Sequence, residues 1–436
     1  MSVLPIFPTL LSEARGADVE GRRMATPLEL LIESLAYGGD GVAHDGGRAV
    51  FVPLTAPGDR VRARELPTRA GARRAELEAV VSAGTDRVAP PCPLAGRCGG
   101  CHHQHLAYDA QVRAKGEIVA ALLSRSLGHA EVAPCVPSPL PLRYRRRARW
   151  HPAGRGRLGF SERAGPRVVP VDDCLLVEPG VQAAYLRVRD AASLVPRLRS
   201  LGLDANEDGR FVVDVRTEGP PSPGALSRSE AMLALGAAGV TVGEERKATT
   251  RAFGEPVLRD PGGLRVRPDC FAQANRLGAR LLVEHALGSL RGASNVLELF
   301  CGAGTFTLPL LERGARVLGV ESWVPSLDLL AAAAAERDLS PRLVAGDAVE
   351  VARSLASEGR AFDAVLLDPP REGAKGVSAA LAKLAPRVVY VSCDPATLAR
   401  DARELAQHGF ALESAVPLDL FPQTFHVEVV ATFRRA

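Results

Sequence analysis

Cys393 closes the run Val388-Val389-Tyr390-Val391-Ser392-Cys393-Asp394-Pro395, a β-branched and aromatic stretch ending in a thiol and broken by a proline. A strand that delivers a cysteine at its C-terminal end places it where open α/β sheets do chemistry. A thiol there can serve as a covalent nucleophile. Free cysteine is also among the most buried residue types, so the neighbours decide between the two readings. They favour chemistry: Asp368-Pro369-Pro370-Arg371 lies upstream, and Phe421-Pro422-Gln423-Thr424-Phe425-His426-Val427-Glu428 lies downstream.

A second signal is Asn295-Val296-Leu297-Glu298-Leu299-Phe300-Cys301-Gly302-Ala303-Gly304-Thr305-Phe306. It reads as a buried strand running into a glycine loop and then a helix. Glycines let the backbone turn tightly and approach a ligand closely. Glu321 follows at the end of Leu318-Gly319-Val320-Glu321. An acid about 20 residues after such a loop is placed to bind ribose hydroxyls. Dinucleotide binding competes, but Gly302-Ala303-Gly304 lacks the third glycine of that fingerprint. The loop, the ribose acid and Asp368-Pro369-Pro370-Arg371 together resemble an S-adenosylmethionine (AdoMet) methyltransferase.

The third signal is Cys92-Pro93-Leu94-Ala95-Gly96-Arg97-Cys98-Gly99-Gly100-Cys101, three thiols within ten residues, with Cys174 available as a fourth. Four-cysteine zinc and iron–sulfur centres both fit this spacing, and His102, His103 and His105 add alternative zinc ligands. The spacing is not that of radical-AdoMet enzymes. Cys135, Cys270 and Cys301 read as core residues.

These groups need scaffolds. A chain of 436 residues exceeds one ordinary core, so two or three domains are expected. Composition is that of a globular protein, 46% hydrophobic and 24% charged. No apolar run approaches the roughly 18 residues of a membrane helix, and the N-terminus carries no secretory pattern. A reducing, cytoplasmic setting follows, in which the cysteines are metal ligands or catalytic groups rather than disulfides. The net charge of +4 is uneven: residues 1–174 hold 24 Lys+Arg against 18 Asp+Glu, and the remainder 30 against 32. The basic half is a surface for an acidic partner.

Residues 1–24 read as a loose tail. Over 25–86, short strand-like runs at 28–35, 49–54, 60–65 and 75–81 alternate with Gly/Asp turns, which suggests a small β-barrel. Arg60, Arg62 and Arg64 recur every second residue and share one strand face. Residues 87–262 form a central domain with a helix over 109–127 and strands over 143–160; beyond about 180 the pattern chooses no topology. From 263 to 436, strand-like runs at 296–300, 317–320, 364–367 and 388–391 alternate with helical segments, so a largely parallel, helix-flanked sheet is expected.

The C-terminal half resembles the RNA uridine-5-methyltransferase family, densely over about 268–436 and more loosely before it. The resemblance rests on Asp269-Cys270-Phe271-Ala272-Gln273-Ala274-Asn275, the stretch from Phe300 to Pro309, Leu367-Asp368-Pro369-Pro370-Arg371-Glu372-Gly373, the stretch from Tyr390 to Asp401, and that from Phe421 to Glu428. It implies a Rossmann-like AdoMet methyltransferase domain in which Cys393 is the nucleophile and Glu428 the base. Gln273, Phe300, Gly302, Gly304, Thr305, Glu321 and Asp368 would line the AdoMet site, with Asp347 near the adenine. Asp394 departs from the asparagine often found after the catalytic cysteine, and an extra carboxylate disfavours the thiolate.

The resemblance also resolves the cysteine cluster. Ribosomal RNA members and archaeal transfer RNA members carry a [4Fe–4S] cluster on such a pattern, which assigns Cys92, Cys98, Cys101 and Cys174 as ligands. Residues 25–86 resemble the oligonucleotide-binding-like barrel called a TRAM domain, which with Arg60, Arg62, Arg64, Arg73 and Arg74 would clamp RNA. Arg143, Tyr144, Arg145, Arg146, Arg147, Arg149 and Trp150 interleave cations and aromatics as single-stranded RNA sites do. The implied reaction is methylation of uridine carbon 5: a thiolate adds at carbon 6, carbon 5 takes the methyl group, and a base removes its proton. A paired uridine must be flipped out to reach the thiol. Barrel plus cluster favours 23S ribosomal RNA as partner, with transfer RNA as the alternative, no membrane, and the chain acting as a monomer. Amino-methylation of adenine or guanine uses an aromatic after the two prolines, where Arg371 stands here. A non-enzymatic RNA-binding or cluster-sensing protein would make Cys393 expendable.

Overall fold

The computed structural model describes residues 27–67 and 71–435; the expected tail, 1–24, lies outside the described residues. The chain forms two compact units. The smaller comprises the described residues up to 96, with 101–114 and 423–425, and the larger 97–100, 115–422 and the described residues from 426 on. Among the described residues no helix is long and apolar enough to cross a membrane.

The smaller unit contains a six-stranded sheet in the order Leu28–Leu31, Arg60–Glu65, Arg73–Ser82, Arg48–Val52, Gly41–Asp45, Ser34–Leu35. The long strand Arg73–Ser82 pairs antiparallel with one neighbour and, at Arg73 and Arg74, parallel with another, so the sheet curls like a barrel around Leu30, Ile32, Val50, Val61 and Ala75. Period two holds along Arg60–Glu65: Val61 and Ala63 are buried while Arg60, Arg62 and Arg64 are exposed. The arginines are not bare. Arg64 bonds Glu76 at 2.5 Å, Arg62 lies 3.8 Å from Glu78, and Arg73 is held by Glu65 and Asp45. Much of the expected clamp is therefore tied up in cross-strand ion pairs.

The larger unit carries two seven-stranded sheets. The first, in the region where the sequence chose no topology, runs in the order Thr249–Gly254, Gly239–Glu244, Phe211–Thr217, Leu198–Ala205, Arg147–Gly154, Arg157–Ser161, Val168–Pro170. Within it, Phe211–Thr217 and Gly239–Glu244 pair in parallel and the other neighbours pair antiparallel. The helix Pro179–Ser193 covers this sheet with Val181, Ala184, Tyr185 and Val188, and Tyr185 stacks on Trp150 with ring centroids 4.4 Å apart.

That packing corrects the expected RNA-facing run. Trp150 and Tyr144 are buried in the interior, not offered to bases. Arg146 is buried on Asp204, Arg143 pairs with Asp173, Arg149 pairs with Asp214, and Arg147 binds the carbonyls of Cys270 and Pro268. Adjacency in sequence put cations and aromatics together, but the strand Arg147–Gly154 turns Trp150 inward, and Tyr144, ahead of that strand, is buried with its hydroxyl donating to the Pro422 carbonyl.

The second sheet runs Arg342–Ala345, Arg316–Glu321, Asn295–Leu299, Ala364–Leu367, Arg387–Ser392, Glu428–Arg435, Phe410–Leu418. Its first five strands are parallel, as the alternating pattern requires, and Glu428–Arg435 enters antiparallel between Arg387–Ser392 and Phe410–Leu418. The four central parallel strands are apolar because helices cover both faces. Strand order reverses between Asn295–Leu299 and Ala364–Leu367, which opens a crevice at their carboxyl ends.

Candidate functional site

Registers place the predicted residues along that crevice. Leu299 pairs with Val320 and with Leu367, and Glu321 pairs with Ala345. Phe300, Glu321, Asp368 and the approach to Asp347 are therefore level at the carboxyl ends of adjacent strands. Phe300 has a φ of 61°, uncommon for a bulky aromatic and a mark of local strain of the kind found at ligand-holding turns. Gly302 and Gly304 have φ values of 52° and 97°. A side chain on Gly304 would strike Leu330, so this glycine lets the loop pack on the helix Val324–Ala335. A side chain on Gly302 would meet nothing within 4 Å: this loop leaves open space for a ligand. Glu321 accepts the Gly302 N–H at 3.1 Å and the Trp323 N–H at 2.7 Å, which fixes its carboxylate beside the loop. Asp347 is exposed and caps the helix Ala348–Ser357 by accepting from Val349 and Glu350.

The thiol and the acid meet through antiparallel pairing. Ser392 pairs with Val429, so the next position in that register sets Cys393 opposite Glu428. Cys393 is half-buried and Glu428 fully buried. Burial pushes the Cys393 thiol up to about 12, with Glu428, Asp368 and Asp394 adding to the rise and Arg371 opposing it. Burial likewise raises Glu428 to about 8, helped by Asp368 and opposed by Arg371. Asp368 is half-buried on the crevice wall, and desolvation alone takes it to about 7. Three proton-holding groups thus share one low-dielectric crevice, an arrangement that marks functional sites.

Four further residues bear on the crevice, two of them, Glu298 and Phe271, inside stretches already singled out and two, Lys115 and Asp419, outside any motif. Glu298, buried in an otherwise apolar strand, accepts from the Thr307 hydroxyl at 2.7 Å and is raised to about 8, first by desolvation. Its signal was a lone acid inside an apolar run. Phe271 is 72% exposed two residues before buried Gln273, a large aromatic face turned to solvent. Lys115 and Asp419, each nearly inaccessible, form an ion pair at 2.5 Å, and Asp419 also accepts the Phe421 N–H. The pair fixes the turn that follows Phe410–Leu418 and precedes Glu428. No local pattern announces it, because 304 residues separate the partners.

The four proposed cluster ligands are all half-buried. The Cys98 sulfur accepts the Gly100 N–H at 3.4 Å, and the Cys101 sulfur accepts from Gln104 at 3.1 Å. Such sulfur-acceptor bonds suit thiolates that ligate iron. Cys92 and Cys101 belong to the smaller unit and Cys98 and Cys174 to the larger. Among the described residues no group of three or more His, Cys, Asp or Glu stands ready to hold a metal ion. Cys135, Cys270 and Cys301 are buried, as expected of core residues.

With this geometry in place, known proteins can be compared. A profile of the tRNA (Uracil-5-)-methyltransferase family matches residues 263–435. The 23S rRNA (uracil(1939)-C(5))-methyltransferase RlmD of Alkalilimnicola ehrlichii is 35% identical over 431 residues, covering 94% of this chain and 97% of the relative. That of Edwardsiella ictaluri is 36% identical over 437 residues, covering 95% and 98%. The chain belongs to the RNA uridine-5-methyltransferase family. Among solved structures, the Pyrococcus abyssi tRNA (uracil-54, C5)-methyltransferase in complex with S-adenosyl-L-homocysteine superposes with a TM-score of 0.73 at 25% identity, covering 93% of this chain and 99% of that one.

Proposed function

We infer that the protein methylates carbon 5 of a uridine in 23S ribosomal RNA with AdoMet as donor. The observation that carries this reading is the opposition of Cys393 and Glu428 beside the open Gly302 loop. The near full-length likeness to ribosomal RNA enzymes favours that substrate over transfer RNA.

Gln273, Phe300, Gly302, Gly304, Thr305, Glu321 and Asp368 would hold AdoMet, with Glu321 aimed at the ribose hydroxyls and Asp347 beyond it toward the adenine. The donor supplies an electrophilic sulfonium methyl. The Cys393 thiolate would add to carbon 6 of the flipped uracil, and carbon 5, made nucleophilic, would take the methyl group from the sulfonium, whose sulfur leaves as the neutral thioether. Glu428 then removes the carbon 5 proton, and the carbon 6–sulfur bond breaks to release thiol and product. Burial raises the thiol and the carboxyl alike, so rising pH favours the thiolate of Cys393 and the carboxylate of Glu428. Phe271 offers a stacking face for an unpaired base.

Residues 25–86 would act as the RNA-binding barrel and 263–436 as the methyltransferase domain. Cys92, Cys98, Cys101 and Cys174 would hold a [4Fe–4S] cluster with a structural or RNA-positioning role, since methyl transfer moves no electrons. The test is methyl transfer from labelled AdoMet to 23S rRNA and to transfer RNA lacking 5-methyluridine. Labelling of 23S rRNA at a single uridine is expected; labelling of transfer RNA alone would move the substrate assignment.

A further inference from the structure

A cavity of about 270 Å³ in the larger unit is lined by Arg146, Gln273, Arg276, Ala279, Thr305 and Leu308, among others. Its lining comes from the helix Arg276–Ser289, the helix Thr307–Glu312 and the loop residues Gly304 and Thr305 before it. Phe300, Gly302, Glu321 and Asp368 do not line it, although Gln273, Gly304 and Thr305 do.

Two guanidinium groups in its wall are nearly inaccessible, Arg146 at 2% and Arg276 at 5%. Arg146 donates Nε to Asp204 at 3.1 Å and has Nη1 3.8 Å from Asp260, yet among the described residues Nη2 has no hydrogen-bond partner. Arg276 donates Nη2 to the Ala205 carbonyl and to Glu178, while among the described residues Nη1 and Nε have no hydrogen-bond partner; Nε lies 3.6 Å from Glu207. Buried donors left without acceptors are costly and native structures avoid them. Arg276 also opens the 14-residue helix Arg276–Ser289, whose first-turn N–H groups favour negative charge. Arg337 is already taken by Glu312 and the Gly262 carbonyl, so it adds no donor to the cavity.

We propose that this cavity is an oxyanion site that takes the phosphate of a nucleotide. Arg146 and Arg276 would complete their donor sets on the phosphate oxygens, a charge-assisted geometry that guanidinium suits. Leu308 and Ala279 leave apolar room for the attached sugar. The phosphate would come from the RNA backbone or from a free nucleotide, and the two are separable by experiment. The inference does not depend on which RNA is methylated.

The full-length protein is titrated with inorganic phosphate, with uridine 5′-monophosphate and with a short oligoribonucleotide, followed by phosphorus NMR. Line broadening by phosphate and by the monophosphate that falls at least tenfold in Arg276→Met is expected. If the oligonucleotide competes, the backbone is the source; if it does not, a free nucleotide is, and either outcome supports the site. Because Arg276→Met removes a buried ion pair, Ala279→Phe serves as the second variant: it fills the cavity without touching either arginine and should abolish broadening. S-adenosylhomocysteine affinity should stay unchanged in Ala279→Phe. Equal broadening in wild type and Ala279→Phe, no broadening at millimolar phosphate, or stoichiometric displacement of phosphate by S-adenosylhomocysteine would each overturn the proposal.

Discussion

Cys393 stands opposite Glu428 because Ser392 and Val429 are paired partners in neighbouring antiparallel strands. One strand ends where the other begins, so a thiol and a carboxyl more than thirty residues apart in sequence are brought to one point by register alone. A one-residue slip would turn Glu428 to the opposite face of the sheet. The turn before it is pinned by Lys115 on Asp419.

If Cys393 adds to carbon 6, RNA carrying 5-fluorouridine at the target should trap the protein, since fluorine cannot leave as a proton does. A denaturation-resistant adduct is expected with AdoMet and none in Cys393→Ala. Glu428→Gln should lower turnover by roughly 10²- to 10⁴-fold, the usual contribution of a general base, and should accumulate adduct on ordinary RNA. Normal methylation by the alanine variant would remove Cys393 from the reaction.

The raised acid and thiol set the pH dependence. A base must be unprotonated, and Glu428 at about 8 holds its proton below that pH. The Cys393 thiol at about 12 yields more thiolate with each unit of rise. Single-turnover rates should therefore climb between pH 6 and 8 rather than fall. Asp394 contributes to the thiol's elevation while capping the helix Pro395–Gln407 through Ala396 and Thr397. Asparagine caps equally well, so Asp394→Asn should keep the fold and shift the alkaline limb to lower pH. A profile that falls from pH 6 to 8 would count against both roles.

The buried pair Lys115–Asp419 gives a stability test. Removing one partner of such a pair leaves a stranded charge and costs about 3–5 kcal/mol. Lys115→Met should show a loss of that order in chemical denaturation. Lys115→Met with Asp419→Leu should recover most of it, because two apolar side chains replace the pair together. Equal loss in single and double variants would mean that the turn, not the charge, is what suffers.

The crevice was legible because buried parallel strands write themselves as apolar runs, and three of the four runs here lead into a chemically active residue: Glu321, Asp368 or Cys393. The first sheet of the larger unit was not. Phe211–Thr217 is buried at every position, including Asp214 and Arg216, which pair with each other; a strand whose charges are satisfied inside shows no alternation to read. The same internal pairing misled the reading of Arg146 and Trp150, since sequence shows that a cation is present but not which carboxylate already holds it. Lys115 and Asp419 were invisible because only the folded chain brings them together.

The cysteine assignment is decided by iron and sulfide content in protein purified without oxygen. A single cubane bound by Cys92, Cys98, Cys101 and Cys174 requires about four irons and four sulfides per chain, held by thiolates. Cys174→Ser and Cys98→Ser should both lose the brown colour. Colourless protein with one tightly bound zinc would replace the cluster with a zinc centre.

The exposed arginine face gives a test of RNA binding that the ion pairs sharpen. Every phosphate that an arginine no longer neutralises should reduce the log–log salt slope by about 0.7 for single-stranded RNA. Replacing Arg60, Arg62 and Arg64 together should flatten the slope while leaving S-adenosylhomocysteine binding intact. Arg62 and Arg64 face Glu78 and Glu76 across the strand pair, and these carboxylates compete with phosphate. Glu76→Gln with Glu78→Gln should therefore tighten RNA binding at low salt and steepen the slope, the opposite of the arginine variants. Exposed pairs of this kind hold one another weakly, so phosphate can displace them and folding stability should change little. An unchanged slope in both sets would make the arginine face a solvated edge, with the RNA bound elsewhere.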